Sequence, residues 1–405
     1  MATLELQGEL KTTFNKLHQT EEGAWVGHIS EANGALLQPP LPQKYLDMTA
    51  DELAVGIARA KEVLGSRLVI LGHHYQREDV IQWADFRGDS FKLCKDAAAR
   101  PDADFIIFCG VHFMAESADI LSAPHQKVIL PDLHAGCSMA DMADIDQVEE
   151  AWESLQEVCG DEKIIPITYM NSAANLKAFV GRNGGAVCTS SNAEKIMSWA
   201  LRPVEEGGAG GTKLLFFPDQ HLGRNTAILE MDFTEEDCVV WDPAEDLGGN
   251  DEATLRRAPI LLWKGHCSVH GTFLPIHIKN VRERYPGIQV IVHPECIHEV
   301  VKDSDDYGST EKIRNLVAAA PVGATIAIGT EINLVSRLAI EYPDKTVISL
   351  NPNVCVCSTM YRVDSPHLLW AMENLINGKV VNQIVVPEPI AGEAKLALQR
   401  MLDHA

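Results

Sequence analysis

The 405 residues are 46% hydrophobic and carry a formal charge of −23, with 57 acidic against 34 basic side chains. That length and apolar content suffice for two or three cored α/β domains, while the acidic excess excludes a general nucleic-acid binder, which needs clustered Lys and Arg against phosphate. No apolar run approaches the roughly 20 residues that span a bilayer, the polar start MATLELQGELKTTFNKL lacks a signal-peptide pattern, and the ten cysteines form no compact disulfide framework, so the sequence predicts a cytoplasmic protein with reduced thiols and no membrane partner.

Residues 1–40 read as an N-terminal extension of mixed polarity, running into the proline-rich QPPLP. A helix follows from Thr49-Ala50-Asp51-Glu52 through Val63, with Thr49 as its cap. The first α/β unit, 41–140, opens with the buried strand RLVILGHHYQ (67–76). Next come a helical REDVIQWADF, the turn GDS (88–90), the helix FKLCKDAAA and the strand DFIIFCG (104–110). HFMAESADIL then leads to KVIL (127–130) and the turn that carries Cys137.

The second unit, 141–271, repeats that order: strand KIIPITYMN (163–171), helix NLKAFV, turn CTSS (188–191), helix NAEKIMSWA, strand KLLFF (213–217), PDQHLGRN, and PILLW (259–263) running into Cys267. The third, 272–363, gives IQVIVHPEC (288–296), HEVVKD, the turn GST (308–310), helix EKIRNLVAAA, strand ATIAIG (324–329), TEINLVSRLA, and TVISL (346–350) running into Cys357. Tyr75 and Cys137 stand 62 positions apart, as do Glu295 and Cys357; Asn171 and Cys267 stand 96 apart. The excess in the second unit falls on EEGGAGG (205–211) and the acidic 232–252, which read as inserted loop and edge material. One unit written three times is the reading that follows. A C-terminal helical arm, 364–405, begins with a Ser365 cap and Pro366 before HLLWAMENLI, ends that helix at Asn377-Gly378, and closes with EAKLALQRML.

Strands alternating with helices predict parallel sheets joined by crossovers, hence an α/β fold of three similar domains. Ligands in such sheets sit beyond the carboxyl ends of the strands. The groups found there are His73 and Tyr75, Tyr169 and Asn171, and His293 and Glu295. Ser90, Ser190, Ser309 and Thr310 precede helices, where they cap the backbone and help build anion sites. A lone buried cysteine is ordinarily inert packing. Three cysteines at one repeated position suggest instead a shared metal centre: an iron–sulfur cluster with one open iron, or a zinc with three protein ligands and a water. Cys355, two residues before Cys357, is a competing ligand or the partner in a labile disulfide. Cys94, Cys109, Cys159, Cys188, Cys238 and Cys296 read as packing. His270, three residues after Cys267, can hold substrate oxygens. Glu295, beside an imidazole and a thiol, is a candidate general acid/base whose pKa burial would raise. Glu116, Arg224 and Asn333 occupy matching places in the three units without an evident role.

The segments GHHYQ, GDS, FMAES, AGCSMAD, YMN, CTSSNA, FFPDQHLGRN, WKGHCSVH, HPEC, GST, GTE and NPNVCVCSTM, from about residue 45 to 375, resemble the quinolinate synthase family (the A protein) in its longer form. The resemblance implies three α/β/α domains about a pseudo-threefold axis with the active site at the centre. It implies a 4Fe-4S cluster on Cys137, Cys267 and Cys357 with one open iron. It implies condensation of iminoaspartate with dihydroxyacetone phosphate to quinolinate, releasing phosphate and two waters, in NAD biosynthesis, with an L-aspartate oxidase or dehydrogenase supplying the imine. Tyr75 and Glu295 match the family's acid/base residues. His73, Ser90, Tyr169, Asn171, Ser190, His270, His293, Ser309 and Thr310 match its substrate-pocket residues. Another iron–sulfur hydro-lyase, a zinc hydrolase and a cluster-carrying redox sensor are the competing classes.

Overall fold

The structure, a computed structural model, describes residues 26–27, 38–353 and 356–404. The sequence-derived extension over 1–40 therefore lies almost wholly outside the described residues. Three sheets organise the described residues; most of their strands pair in parallel, and Gln383–Ile384 runs antiparallel to Lys127–Ile129. In the first sheet the order is Val26–Gly27, Gln383–Ile384, Lys127–Ile129, Phe105–Cys109, Leu68–His73, Phe86–Gly88. In the second it is Ala186–Cys188, Ile164–Tyr169, Lys213–Phe217, Ile260–Trp263, Cys238–Trp241. In the third it is Asp306–Tyr307, Gln289–Val292, Thr325–Gly329, Thr346–Ser349.

Each sheet shares one arrangement. The opening strand lies inside, a two- or three-residue strand flanks it on one edge, and the third and last strands follow on the other side. The opening strands are buried along their whole length in the first two sheets: Leu68–His73 and Ile164–Tyr169 show no exposed position. Continuous apolar runs of this kind are what a parallel sheet covered on both faces demands, because neither side of the pleat meets water. The acidic insertion supplies an edge strand, Cys238–Trp241, paired in parallel with Ile260–Trp263.

The chain divides into two compact units. One comprises residues 1–87, 93–136 and 359–387; the other comprises 88–92, 137–358 and 388–405. In the first, helix Ala50–Leu64 starts at a full capping box, Thr49 and Glu52 each receiving the other's backbone N–H, a device contributing about 1 kcal/mol. Helix Ser365–Ile376 packs on it. The cap of that second helix is Asp364, whose Oδ1 accepts from His367 N at 2.9 Å, and not Ser365 as the sequence suggested. Ser365 is already helical, and its hydroxyl donates to the Asp79 carboxylate at 2.9 Å. In the second unit, the last helix, Ile390–His404, lies on Ala174–Arg182. Gly181 allows the approach, since a Cβ there would stand 1.9 Å from the Glu393 carbonyl oxygen. Arg400 then ties the pair, its Nη1 donating to the carbonyls of Gly181 and Gly185 at 2.9 and 2.6 Å.

Candidate active site

The second unit carries a buried polar network at the ends of its parallel strands. Strand Ile164–Tyr169 delivers Tyr169, and strand Gln289–Val292 delivers the turn His293-Pro294-Glu295-Cys296. Strand Ile260–Trp263 leads through Cys267 to a 3-10 turn beginning at His270. Tyr169 Oη donates to Glu295 Oε1 at 2.6 Å, and His270 Nδ1 lies 2.7 Å from Glu295 Oε2. A carboxylate only accepts, so the hydrogen sits on His270 Nδ1. The opposite nitrogen, Nε2, meets Thr330 Oγ1 at 3.1 Å. The His293 ring stacks on His270, with centroids 4.4 Å apart and planes 15° apart.

His293 Nδ1 accepts the Glu295 N–H at 3.3 Å, a role that requires a bare nitrogen and hence the neutral ring. Burial, opposed in part by the Glu295 charge, holds that imidazole down at about 3, in keeping with the acceptor geometry. For Glu295 the sequence expectation fails. Burial does push its carboxyl upward, but the charge of His270 and the hydrogen bonds from His270 and Tyr169 outweigh it and hold the group below the ordinary carboxylate range. The pocket therefore presents a carboxylate, not a carboxylic acid.

The local fold of this turn is repeated. In the first unit, Tyr75 N donates to His73 Nδ1 at 3.1 Å and Gln76 N to His73 O at 2.9 Å. In the third-sheet turn, Glu295 N meets His293 Nδ1, and Cys296 N meets His293 O at 3.0 Å. His73 is buried and Tyr75 half-buried, and their rings meet edge to face at 4.8 Å. Asn171, half-buried, follows Tyr169 at the equivalent position of the second sheet.

The three cysteines also share local structure. A 3-10 turn begins three residues after each: Ala140–Met142, His270–Thr272 and Met360–Arg362. Cys137 O accepts from Asp141 N at 3.1 Å and Cys267 O from Gly271 N at 2.9 Å. The nine described cysteines are free thiols. Burial is the first cause pushing Cys137 up, to about 12, and the charge of Cys357 adds to it. Cys267 is pushed up by burial, then by the charges of Glu295 and of Cys137. Cys137, Cys267 and Cys357 are each half-buried, and thiols that feel one another's charge in this way are donors that a metal binds as thiolates. The donor set therefore fits a thiolate-bound metal centre. Cys267, His270 and Glu295 also bring one ligand atom each within 4.8 Å of one another, a mixed S, N, O set of the kind zinc accepts. Cys355 lies outside the described residues.

The serine positions separate. Ser309 is a helix cap, its Oγ accepting from Lys312 N at 3.4 Å, and Thr310 is the first helical residue. Ser190 is not a cap, because helix Ala193–Leu201 starts at Asn192. Ser90 is the first residue of its own helix, and Asp89 Oδ1 accepts there from Lys92 N at 2.9 Å. The Asn192 side chain makes no cap bond to helix Ala193–Leu201; its Oδ1 accepts from Thr189 N at 2.7 Å. Ser190 and Ser309 instead line one cavity of about 460 Å³ with Asn192, Lys195, Tyr307 and Lys312; Pro294 also borders it. Two helices begin on its wall, and its charged lining is balanced: Glu194 and Glu230 stand with Lys195 and Lys312, and Lys312 pairs with Asp306 at 2.8 Å.

Some residues of this region were not singled out from the sequence, although their segments were. Asp219, fully buried, caps helix Gln220–Glu230 through Leu222 N at 2.8 Å. Burial, with the Glu295 charge, pushes its carboxyl well up. Glu331 caps helix Ile332–Glu341, accepts from Asn333 N at 2.7 Å and Cys357 N at 3.4 Å, and is pushed up to about 7 by burial. Of the three residues left without a role, Glu116 lies buried with His112 Nδ1 at 2.9 Å, Arg224 pairs with Glu235 at 2.6 Å, and Asn333 serves Glu331.

Comparison with known proteins places the chain in a family. Residues 56–403 match the family described as "NadA: Quinolinate synthetase A protein". A protein named "Quinolinate synthase" from a Nocardioides species is 56% identical over 359 residues, covering 88% of this chain and 91% of its own. Its namesake in Streptomyces coelicolor is 54% identical over 353 residues, 87% of this chain and 88% of its own. That of Corynebacterium glutamicum is 53% identical over 365 residues, 90% of this chain and 91% of its own. Among the described residues no helix is long and apolar enough to cross a membrane.

Proposed function

Because the chain belongs to the quinolinate synthetase A protein family, we propose that it condenses iminoaspartate with dihydroxyacetone phosphate to quinolinate, releasing phosphate and two waters, in de novo NAD biosynthesis. The observation that carries the reading is the buried Glu295 carboxylate, held ionised by Tyr169 and His270 and lying beside the Cys267 thiol. Cys137, Cys267 and Cys357 would hold a 4Fe-4S cluster. When bound, such a cluster supplies a Lewis-acidic open iron that polarises a substrate oxygen or nitrogen.

The remaining work belongs to the side chains. Glu295, already charged, accepts a proton from a substrate carbon or nitrogen, and His270 steadies it before and after. Neutral His293 presents its Nε2–H as a donor. The backbone N–H groups at the helix starts beside Ser190 and Ser309 would take a phosphate or carboxylate. Tyr75 is the second acid/base group by its match to the family motif. On the same ground His73, Ser90, Asn171 and Thr310 contact substrate. A condensation with dehydration places the enzyme among transferases, working in the cytoplasm, where thiols stay reduced. An L-aspartate oxidase or dehydrogenase would supply the imine.

The test is anaerobic purification followed by iron and sulfide analysis and an assay for quinolinate. The expected result is about four iron and four sulfide per chain with quinolinate formed from the two substrates. Zinc without sulfide would favour the Cys267, His270 and Glu295 set, and a loaded protein that forms no quinolinate would overturn the reading.

A further inference from the structure

Asn225 lies fully buried on helix Gln220–Glu230. Its Nδ2 donates to the carbonyl oxygens of Pro294 at 2.8 Å and Cys296 at 2.9 Å, which flank Glu295 on either side. Its Oδ1 meets His298 Nδ1 at 2.8 Å. Only the amide NH2 can donate to two carbonyls at once, so this pattern fixes which way the side chain faces. The amide thus holds the carbonyls of the residue before and the residue after Glu295. Tyr169 and His270 grip the same residue at its carboxylate, at 2.6 and 2.7 Å. We propose that Asn225 is a positioning residue for Glu295: it contacts no reactant itself, and it fixes the backbone from which the carboxylate is aimed.

The turn His293–Cys296 is braced internally by Cys296 N to His293 O and Glu295 N to His293 Nδ1, and at its start by His293 N to Gly329 O at 3.0 Å. None of these bonds uses the carbonyls of Pro294 and Cys296, to which Asn225 donates. Without the amide, two buried carbonyls lose their donor, and the turn gains freedom to rotate toward other partners. A carboxylate displaced by about 1 Å from a proton it must take can cost on the order of 100-fold in rate.

The proposal rests on Glu295 acting in the reaction, and a double-mutant cycle separates the two claims. Asn225→Ala, Glu295→Gln and the double variant are prepared anaerobically and compared at matched iron content. Asn225→Ala is expected to lower kcat about tenfold or more while KM for either substrate changes little. In the Glu295→Gln background it should lower kcat no further, because the group it aims is gone. If the two losses multiply, Asn225 acts as ordinary core and the proposal falls. If Glu295→Gln keeps the parent kcat, the catalytic reading of Glu295 falls and takes this assignment with it. Should Asn225→Ala not fold, Asn225→Ser, which keeps one donor, carries the same cycle below its melting temperature.

Discussion

Tyr169→Phe isolates one bond of the buried network. The ring stays, so no cavity opens; only the hydroxyl that donates to Glu295 at 2.6 Å is lost. Both residues are nearly inaccessible, at 6% and 3% exposure, so water cannot replace the donor. A hydrogen bond to a charged group contributes roughly 1.5–3 kcal/mol. Converted at about 1.4 kcal/mol per decade, that is a loss of roughly 10- to 150-fold in any step that needs the carboxylate in place. Folding stability should fall by a similar amount, since the carboxylate would stay buried with one oxygen short of a donor. The assays are kcat/KM for quinolinate formation and urea unfolding of the variant and parent. A variant with kcat/KM within about twofold of the parent and an unchanged unfolding midpoint would refute the claim that this bond holds Glu295.

Cys267→Ala should lose bound iron and quinolinate formation together; a variant retaining the parent's iron, visible absorption and turnover would remove Cys267 from the ligands. Asp119, which accepts from Val386 N at 2.8 Å, is pushed by burial up to about 6 from 3.8. The folded protein then binds more protons than the unfolded chain between those values, so stability falls as pH rises through that window, by up to about 3 kcal/mol once the group ionises. Asp119→Asn should therefore exceed the parent in unfolding free energy at pH 8, with the gap closing by pH 4; equal gaps at both would contradict the linkage. Gly181→Ala should lower the melting temperature. The roughly 1 kcal/mol gained in helix propensity cannot offset a Cβ placed 1.9 Å from the Glu393 carbonyl oxygen, and an unchanged or higher melting point would count against that packing.

The long strands were legible because a strand covered on both faces must be apolar throughout, as Leu68–Leu71 and Ile260–Trp263 are. The short ones, Phe86–Gly88, Ala186–Cys188 and Asp306–Tyr307, were not; two or three residues carry no period, and backbone pairing alone defines them. Helix caps were misread where an Asn or Asp stood near a serine, as at Asn192 and Asp364, because backbone angles decide the cap. The repeated cysteine position could be read by counting. The protonation of Glu295 could not: its partner Tyr169 is 126 residues away and His270 is 25. Sequence gives burial as a tendency but says nothing of which imidazole ends up within reach. Asn225 was invisible for the same reason, its carbonyl partners lying 69 and 71 positions on.

The chain finishes both of its units late. Strand Gln383–Ile384 fits between Val26–Gly27 and Lys127–Ile129, and Leu369 of helix Ser365–Ile376 sits so close over Gly56 that a Cβ there would be 2.8 Å away. Helix Ile390–His404 then covers Ala174–Arg182. During synthesis, at roughly 5–20 residues per second, the apolar faces awaiting these pieces stay uncovered for many seconds after their own strands have formed. A ribosome stalled near residue 358 would hold two half-clad cores at once, an object that chaperones retain and proteases remove, so removing the last 47 residues should lower this protein's yield in a cell.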